Sequence, residues 1–199
     1  MKLYMVLIQS LIITFCSAQK AEYDVINDFL AVELKDIKYD SIHVRLEPYD
    51  VREALDLYEQ GYKIRDDQTS SYTTIWIIPE LEEWPFSEKD IVNIKKNLQG
   101  KDKQWTKADF ANKGYVFKKD SILKDMNFKV SHIDEGTTEY VLRLSRPILN
   151  KSKTYALFKY YFTELFMGGS AGKNRGAVVM KKENGKWIVL SSIREAIYE

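Results

Sequence analysis

The sequence predicts an α+β fold, with N-terminal helices packed on a C-terminal antiparallel sheet. Two observations carry this expectation. Through the first half of the chain apolar residues recur mainly at helical spacing, whereas from about Tyr115 the period shortens to two. Late in the chain, Asn184-Gly185 separates two strand-like runs, the strongest local signal for a two-residue hairpin turn.

Taken in order, the chain opens with "MKLYMVLIQSLIITFCSAQK". Lys2 provides a positive start, Leu3 to Phe15 an apolar stretch, and Cys16-Ser17-Ala18 the small-x-small pattern that signal peptidase needs. The reading is a signal peptide over residues 1–18, cleaved after Ala18, with residues 19–199 as a single α+β domain. The expected location is secreted or periplasmic. The apolar run falls short of the roughly 20 residues that span a bilayer, so no transmembrane span is expected in the mature chain. A lipid-modified Cys16 is the lesser alternative, because bulky Phe15 stands where that processing wants a small residue. Cys16 is the only cysteine, and it leaves with the leader. Disulfides, thiolate metal ligands and cysteine nucleophiles are then excluded, and the fold must rest on its core.

Ile26, Phe29, Leu30, Leu34 and Ile37 make "AEYDVINDFLAVELKDI" an amphipathic helix. "SIHVRLE" alternates and suits a short strand that Pro48 stops. Asp50 and Glu53 resemble a capping box, opening a helix with Val51, Ala54, Leu55 and Tyr58 on one face and Gly61 placed to end it. "SYTTIWIIPE" is rich in β-branched and aromatic residues and reads as a strand. Ser87 and Asp90 start a further helix, and Thr106 with Asp109 caps a short turn. "TYALFKYYFT" is apolar on both faces and therefore reads as a central strand. Glu183 and Lys186 flank the final turn as a cross-strand pair.

With Lys2 gone, basic and acidic side chains balance, and both signs are scattered along the chain. No basic stripe exists, so a nucleic-acid partner is not expected. The run "ELFMGGSAGKNRG" invites comparison with a phosphate-binding loop and fails it. Met167 stands where the first glycine belongs, Asn174 replaces the Ser or Thr, and a strand follows where a helix is required. The run is expected to be a long glycine-rich connection between adjacent strands. As such it still offers Gly168, Gly169, Gly172, Lys173 and Arg175 as a speculative anion or partner site.

The two histidines, His43 and His132, have no metal-ligand spacing, and no G-x-S-x-G elbow occurs. Acidic doublets at Asp66-Asp67, Glu82-Glu83 and Asp134-Glu135 fit solvated loops. No catalytic residue, metal site or cofactor is predicted. Trp76 and Trp187 fall within strands and read as core; Trp84, beside Pro85 in an acidic connection, reads as the exposed aromatic anchor. "NKS" at Asn150 matches a glycosylation sequon.

From Ser145 to Ile193 the chain reads "SRPILNKSKTYALFKYYFTELFMGGSAGKNRGAVVMKKENGKWIVLSSI". This quarter of the sequence resembles the C-terminal region of an uncharacterised family of small secreted or periplasmic bacterial proteins. There a strand, a glycine-rich loop and an "NGKW" hairpin recur in that order. The resemblance implies an exported protein with a sheet-based C-terminal half; it implies no catalytic residue. Some members carry cysteines near the glycine loop, and this chain has none there.

The expected function is therefore a non-catalytic cell-envelope or extracellular binding module, whose partner is an envelope protein, a glycan or a small ligand. A hydrolase acting on an envelope or extracellular polymer through dispersed carboxylates is one alternative. A structural or assembly protein that pairs through a sheet edge is another.

Overall fold

A computed structural model describes residues 20–65, 75–98, 103–123, 139–166 and 169–195. The predicted signal peptide with Cys16, Gly168, His132 and the doublets at 66–67 and 134–135 lie outside the described residues.

The first helix, α1, covers residues 20–33. Its apolar stripe buries Val25, Ile26, Phe29 and Leu30. Strand β1, Ser41–Arg45, follows, and then α2, Val51–Ile64. Asp50 caps α2 by accepting the Arg52 amide at 2.9 Å, but Glu53 does not complete a capping box. Its carboxylate instead takes the Lys159 ammonium at 2.6 Å. Nor does Gly61 end the helix. It is buried inside α2, where an added Cβ would lie 3.2 Å from both Ile193 Cγ2 and the Trp84 ring. The glycine is there for close approach to the sheet, and the helix runs on to Ile64.

Strand β2 is Ile75–Ile78 and α3 is Glu88–Asn97. The capping box of α3 forms as expected: Asp90 N–H donates to Ser87 Oγ at 3.2 Å, and Asp90 Oδ2 accepts from the Ser87 amide at 3.2 Å. A 3₁₀ turn at Lys107–Asp109 is held by the Asp109 carboxylate, which accepts the Thr106 amide at 2.8 Å. The remaining strands are β3 (Val116–Lys118), β4 (Glu139–Leu144), β5 (Ile148–Leu149), β6 (Tyr155–Phe166), β7 (Gly169–Glu183) and β8 (Lys186–Glu195). At the β7–β8 turn Asn184 and Gly185 both have positive φ, 50° and 84°, as a type I′ turn requires. The Glu183 carboxylate pairs with Lys181 at 3.1 Å, along its own strand, and so departs from the expected partner Lys186.

The protein is α+β, with a mostly antiparallel sheet. Within the described residues that sheet has eight strands in the order β2-β8-β7-β6-β4-β1-β3, with β5 paired to β6. One edge strand, β2, comes from the N-terminal half, and the other, β3, lies just past the midpoint of the chain. β2 joins β8 antiparallel, while β1 lies parallel to both β3 and β4.

The glycine-rich run is the main departure from expectation. It is strand, paired with β6 as far as Phe166↔Gly169, so the connection between the two strands shrinks to 167–168. A register shift after Phe162 leaves Lys173 as the extra residue between paired Gly172 and Asn174. Glycine costs a strand up to about 1 kcal/mol in propensity, and continuous pairing with the long β6 overrides that.

Two apolar clusters use opposite faces of β6. Phe158, Tyr160 and Phe162 join Phe29 and Trp105 in one; Leu157 joins Ala54, Leu55, Tyr58 and Ile193 in the other. Phe29 meets Phe158 and Tyr160 edge-on at 5.0 Å. The apolar character of both faces of β6 is thus explained by burial on both sides.

Candidate functional site

A cleft of about 520 Å³ lies between α3 and the turn that joins β5 to β6. Helix α3 contributes Asn93, Ile94 and Asn97 as one wall. Residues three and four apart share a helix face, so these amides flank an apolar centre. The opposite wall begins at Ile148 and continues through Asn150, Lys151 and Ser152. Asn150 builds that wall, since its Oδ1 accepts the Thr154 and Tyr155 amides at 2.9 and 3.0 Å. Buried Phe86 contributes to the floor. The result is a largely aliphatic trough with amides at its rim. Charge enters only at one end, where Asp90 and exposed Lys151 stand 3.8 Å apart.

Trp84 does not stand free beside this cleft. It is half-buried, edge-on to Tyr58 at 5.0 Å and to Tyr62 at 5.5 Å, and it covers Gly61. Tyr58 in turn accepts the Phe86 amide at 3.0 Å, and burial pushes its phenol well above the usual range. Trp84 therefore fastens the chain that carries Pro85 and Phe86 into the cleft. The exposed tryptophan is Trp76, 55 % accessible on edge strand β2, against the expectation of a core residue; Trp187 is buried as expected. Alternation explains the difference, because Ile75 and Ile77 take the covered face of β2.

The glycine-run residues fall elsewhere. Gly169 and Gly172 lie in β7, Gly172 exposed and opposite Thr163. Arg175 pairs with Tyr161 and lines a second cavity of about 140 Å³ with Tyr49, Lys159 and Gly176. Tyr49, Lys159 and Tyr161 were not singled out by sequence reasoning. The signal available was Lys159 and Tyr161 alternating on the face of β6 opposite Phe158 and Phe162.

A Ser-His-Glu group also forms, unforeseen by any motif. His43 Nε2 lies 3.2 Å from Ser41 Oγ and 3.1 Å from Glu139 Oε2. Both oxygens address the same ring nitrogen, and Nδ1 is buried without a partner. A proton relay needs the base to use one nitrogen for the nucleophile and the other for its acid. This arrangement cannot work that way. Burial lowers the His43 pKa despite Glu139, so the contact is a hydrogen bond to a neutral ring more than an ion pair.

Asp109 and Arg146 form a buried pair at 3.3 Å. Burial pushes the Asp109 carboxyl up, but Arg146 and the Thr106 donors outweigh it and hold the group low. The guanidinium also reaches Lys103 O and Gln104 O at 3.1 and 2.9 Å and lies 3.8 Å from the centre of the Trp105 ring. With every group engaged, the pair is a structural tie. Among the described residues, no group of three His, Cys, Asp or Glu is placed to hold a metal, and no helix is long and apolar enough to cross a membrane.

Comparison with protein-family models, with curated proteins and with solved structures finds no match to this chain.

Proposed function

We propose that this is an exported, non-catalytic binding module of the cell envelope or extracellular space, which takes its ligand in the cleft between α3 and the β5–β6 turn. The supporting observation is the cleft itself: about 520 Å³, within the range of small-ligand sites, with an apolar floor and Asn93 and Asn97 at the rim. Such walls favour an uncharged, partly apolar segment, with amides left over to bond carbonyl, amide or hydroxyl groups. Trp84 packs edge-on against Tyr58 and does not line the cleft, so the chemistry favoured there is that of a peptide or small amphiphile over a stacked sugar. Export rests on the n-h-c pattern of residues 1–18 and on the C-terminal resemblance. The finer architecture proposed with it has the N-terminal helices covering the sheet, a reading supported by the Phe29 contacts with β6.

The test is native mass spectrometry of the full chain purified without denaturation, beside Ile94→Trp, which fills the cleft. The expected result is a non-covalent adduct on the wild type that Ile94→Trp loses. An adduct kept by Ile94→Trp, or none on the wild type together with no binding from peptide and glycan panels, would sink this reading.

One observation favours the assembly reading as a second possibility. β2 is an edge strand carrying exposed Trp76 and Ile78, and such edges are templates for strand pairing. The hydrolase reading draws no comparable support, since Glu53, Glu59 and Asp109 are each bound to lysine or arginine.

A further inference from the structure

The smaller cavity has a different chemistry from the cleft. In one row across the sheet, Arg143 of β4 and Arg175 of β7 flank Tyr161 of β6. Arg143 is 8 % exposed; its described hydrogen bond is a long one, 3.4 Å to Thr163 Oγ1, and its guanidinium lies 5.6 Å from the Tyr161 ring centre. Arg175 makes no ion pair among the described residues, and its buried Nε has no hydrogen-bond partner. Lys159 completes the group, 5.0 Å from the Tyr49 ring, with one carboxylate, Glu53, on its ammonium. Arg45, 5.3 Å from the same ring, is neutralised by Asp120 at 3.1 Å. Glu195 is the other carboxylate at the cavity, and it is exposed.

Cations therefore outnumber carboxylates around this cavity, and two guanidinium groups are left without one. Holding a partly buried cation without a counter-charge is unfavourable, and a bound anion removes that cost. Arginine's planar fork suits a two-oxygen acceptor better than a lysine does. The backbone is shaped for close packing here as well: a Cβ on Gly176 would lie 2.5 Å from the Ile193 carbonyl oxygen, so β7 lies tightly on β8 just where Arg175 emerges. At about 140 Å³ the cavity is well under the roughly 300 Å³ of sites for drug-sized ligands, so one oxyanion group fits its scale.

We infer that the Tyr49–Lys159–Tyr161–Arg175 cavity is an anion site, which takes a phosphate or carboxylate group with Arg175 as its principal partner. Lys159, the other cation at the cavity lining, is a second donor. Arg143 acts from behind the Tyr161 ring and positions it.

The experiment titrates the full-length chain with sodium phosphate and, separately, sodium succinate at constant ionic strength, following backbone amide shifts. Constant ionic strength removes general screening, which would otherwise mimic binding. Expected are saturable shifts confined to residues 159–161 and 174–176, with affinity at least tenfold weaker in Arg175→Gln and only partly restored in Arg175→Lys, which keeps the charge but not the fork. Should Arg175→Gln fail to fold, Lys159→Gln, which removes the other lining cation, is expected to weaken binding several-fold. Preference for phosphate assigns a phosphoryl ligand, and preference for succinate a carboxylate; either supports the site. Ile94→Trp, in the other cleft, should leave the isotherm unchanged, which separates this result from the fate of the larger cleft. Non-saturating shifts with both anions, or equal affinity in wild type and folded Arg175→Gln, would overturn the inference.

Discussion

At His43 burial depresses the imidazole, the Glu139 hydrogen bond pushes the other way, and nearby Lys118 adds to the depression. The net is a native ring that binds its proton less readily than the unfolded chain, whose ordinary value is 6.5. The linked stability is therefore fully present above that value and is lost as pH falls below it. Urea unfolding at pH 7.5 and 5.5 should show the wild type losing stability faster than His43→Gln, by at most about 1.4 kcal/mol per pH unit. Parallel pH slopes for the two proteins would remove His43 as the cause. The residue was visible in the sequence as one side of a short strand. That it faces Glu139, 96 positions away, depended on β1 pairing with β4.

Two glycines show what an element asks of one residue type. Gly185 closes the β7–β8 turn at φ 84° with open space around it, so its requirement is conformational. Gly185→Ala is expected to cost about 1–2 kcal/mol in thermal or urea unfolding, from left-handed backbone strain alone. Gly61 is the reverse case. In an ordinary helix interior Gly→Ala gains roughly 0.5–1 kcal/mol, but here the new methyl meets Ile193 and Trp84 at 3.2 Å. Gly61→Ala should show no such gain, and a clear increase in stability would mean that α2 is not held as closely as described. The turn was legible because Asn-Gly carries its own conformational preference. The helix glycine was misread as a terminator because its reason lies on β8, far along the chain.

For the molecule as a whole, long-range ties decide how the segments meet. Arg146 follows β4, yet it holds the carbonyl groups of Lys103 and Gln104, the Asp109 carboxylate and the Trp105 ring. The same segment reaches α1 through the Ala111 amide, which donates to Asn27 Oδ1 at 2.5 Å. Removing one partner of a buried pair strands the other, at about 3–5 kcal/mol. Arg146→Ala is thus expected to lower stability by that amount and to raise amide exchange first over residues 103–111. Uniform exchange with a loss under about 1 kcal/mol would show that the tie carries little. By itself the sequence determined that helices form around Phe29, Leu55 and Ile91, though not where the first two end, and it determined the capping box at Ser87 and the final hairpin, because each is set by spacing or by residues within one turn of one another. Only the tertiary structure decided that the glycine run is strand, that β1 and β2 join opposite sides of one sheet, and that Arg175 faces Tyr161 beside Lys159. Those outcomes depend on which strand pairs with which and in what register, a choice made by burying both faces of β6 at once.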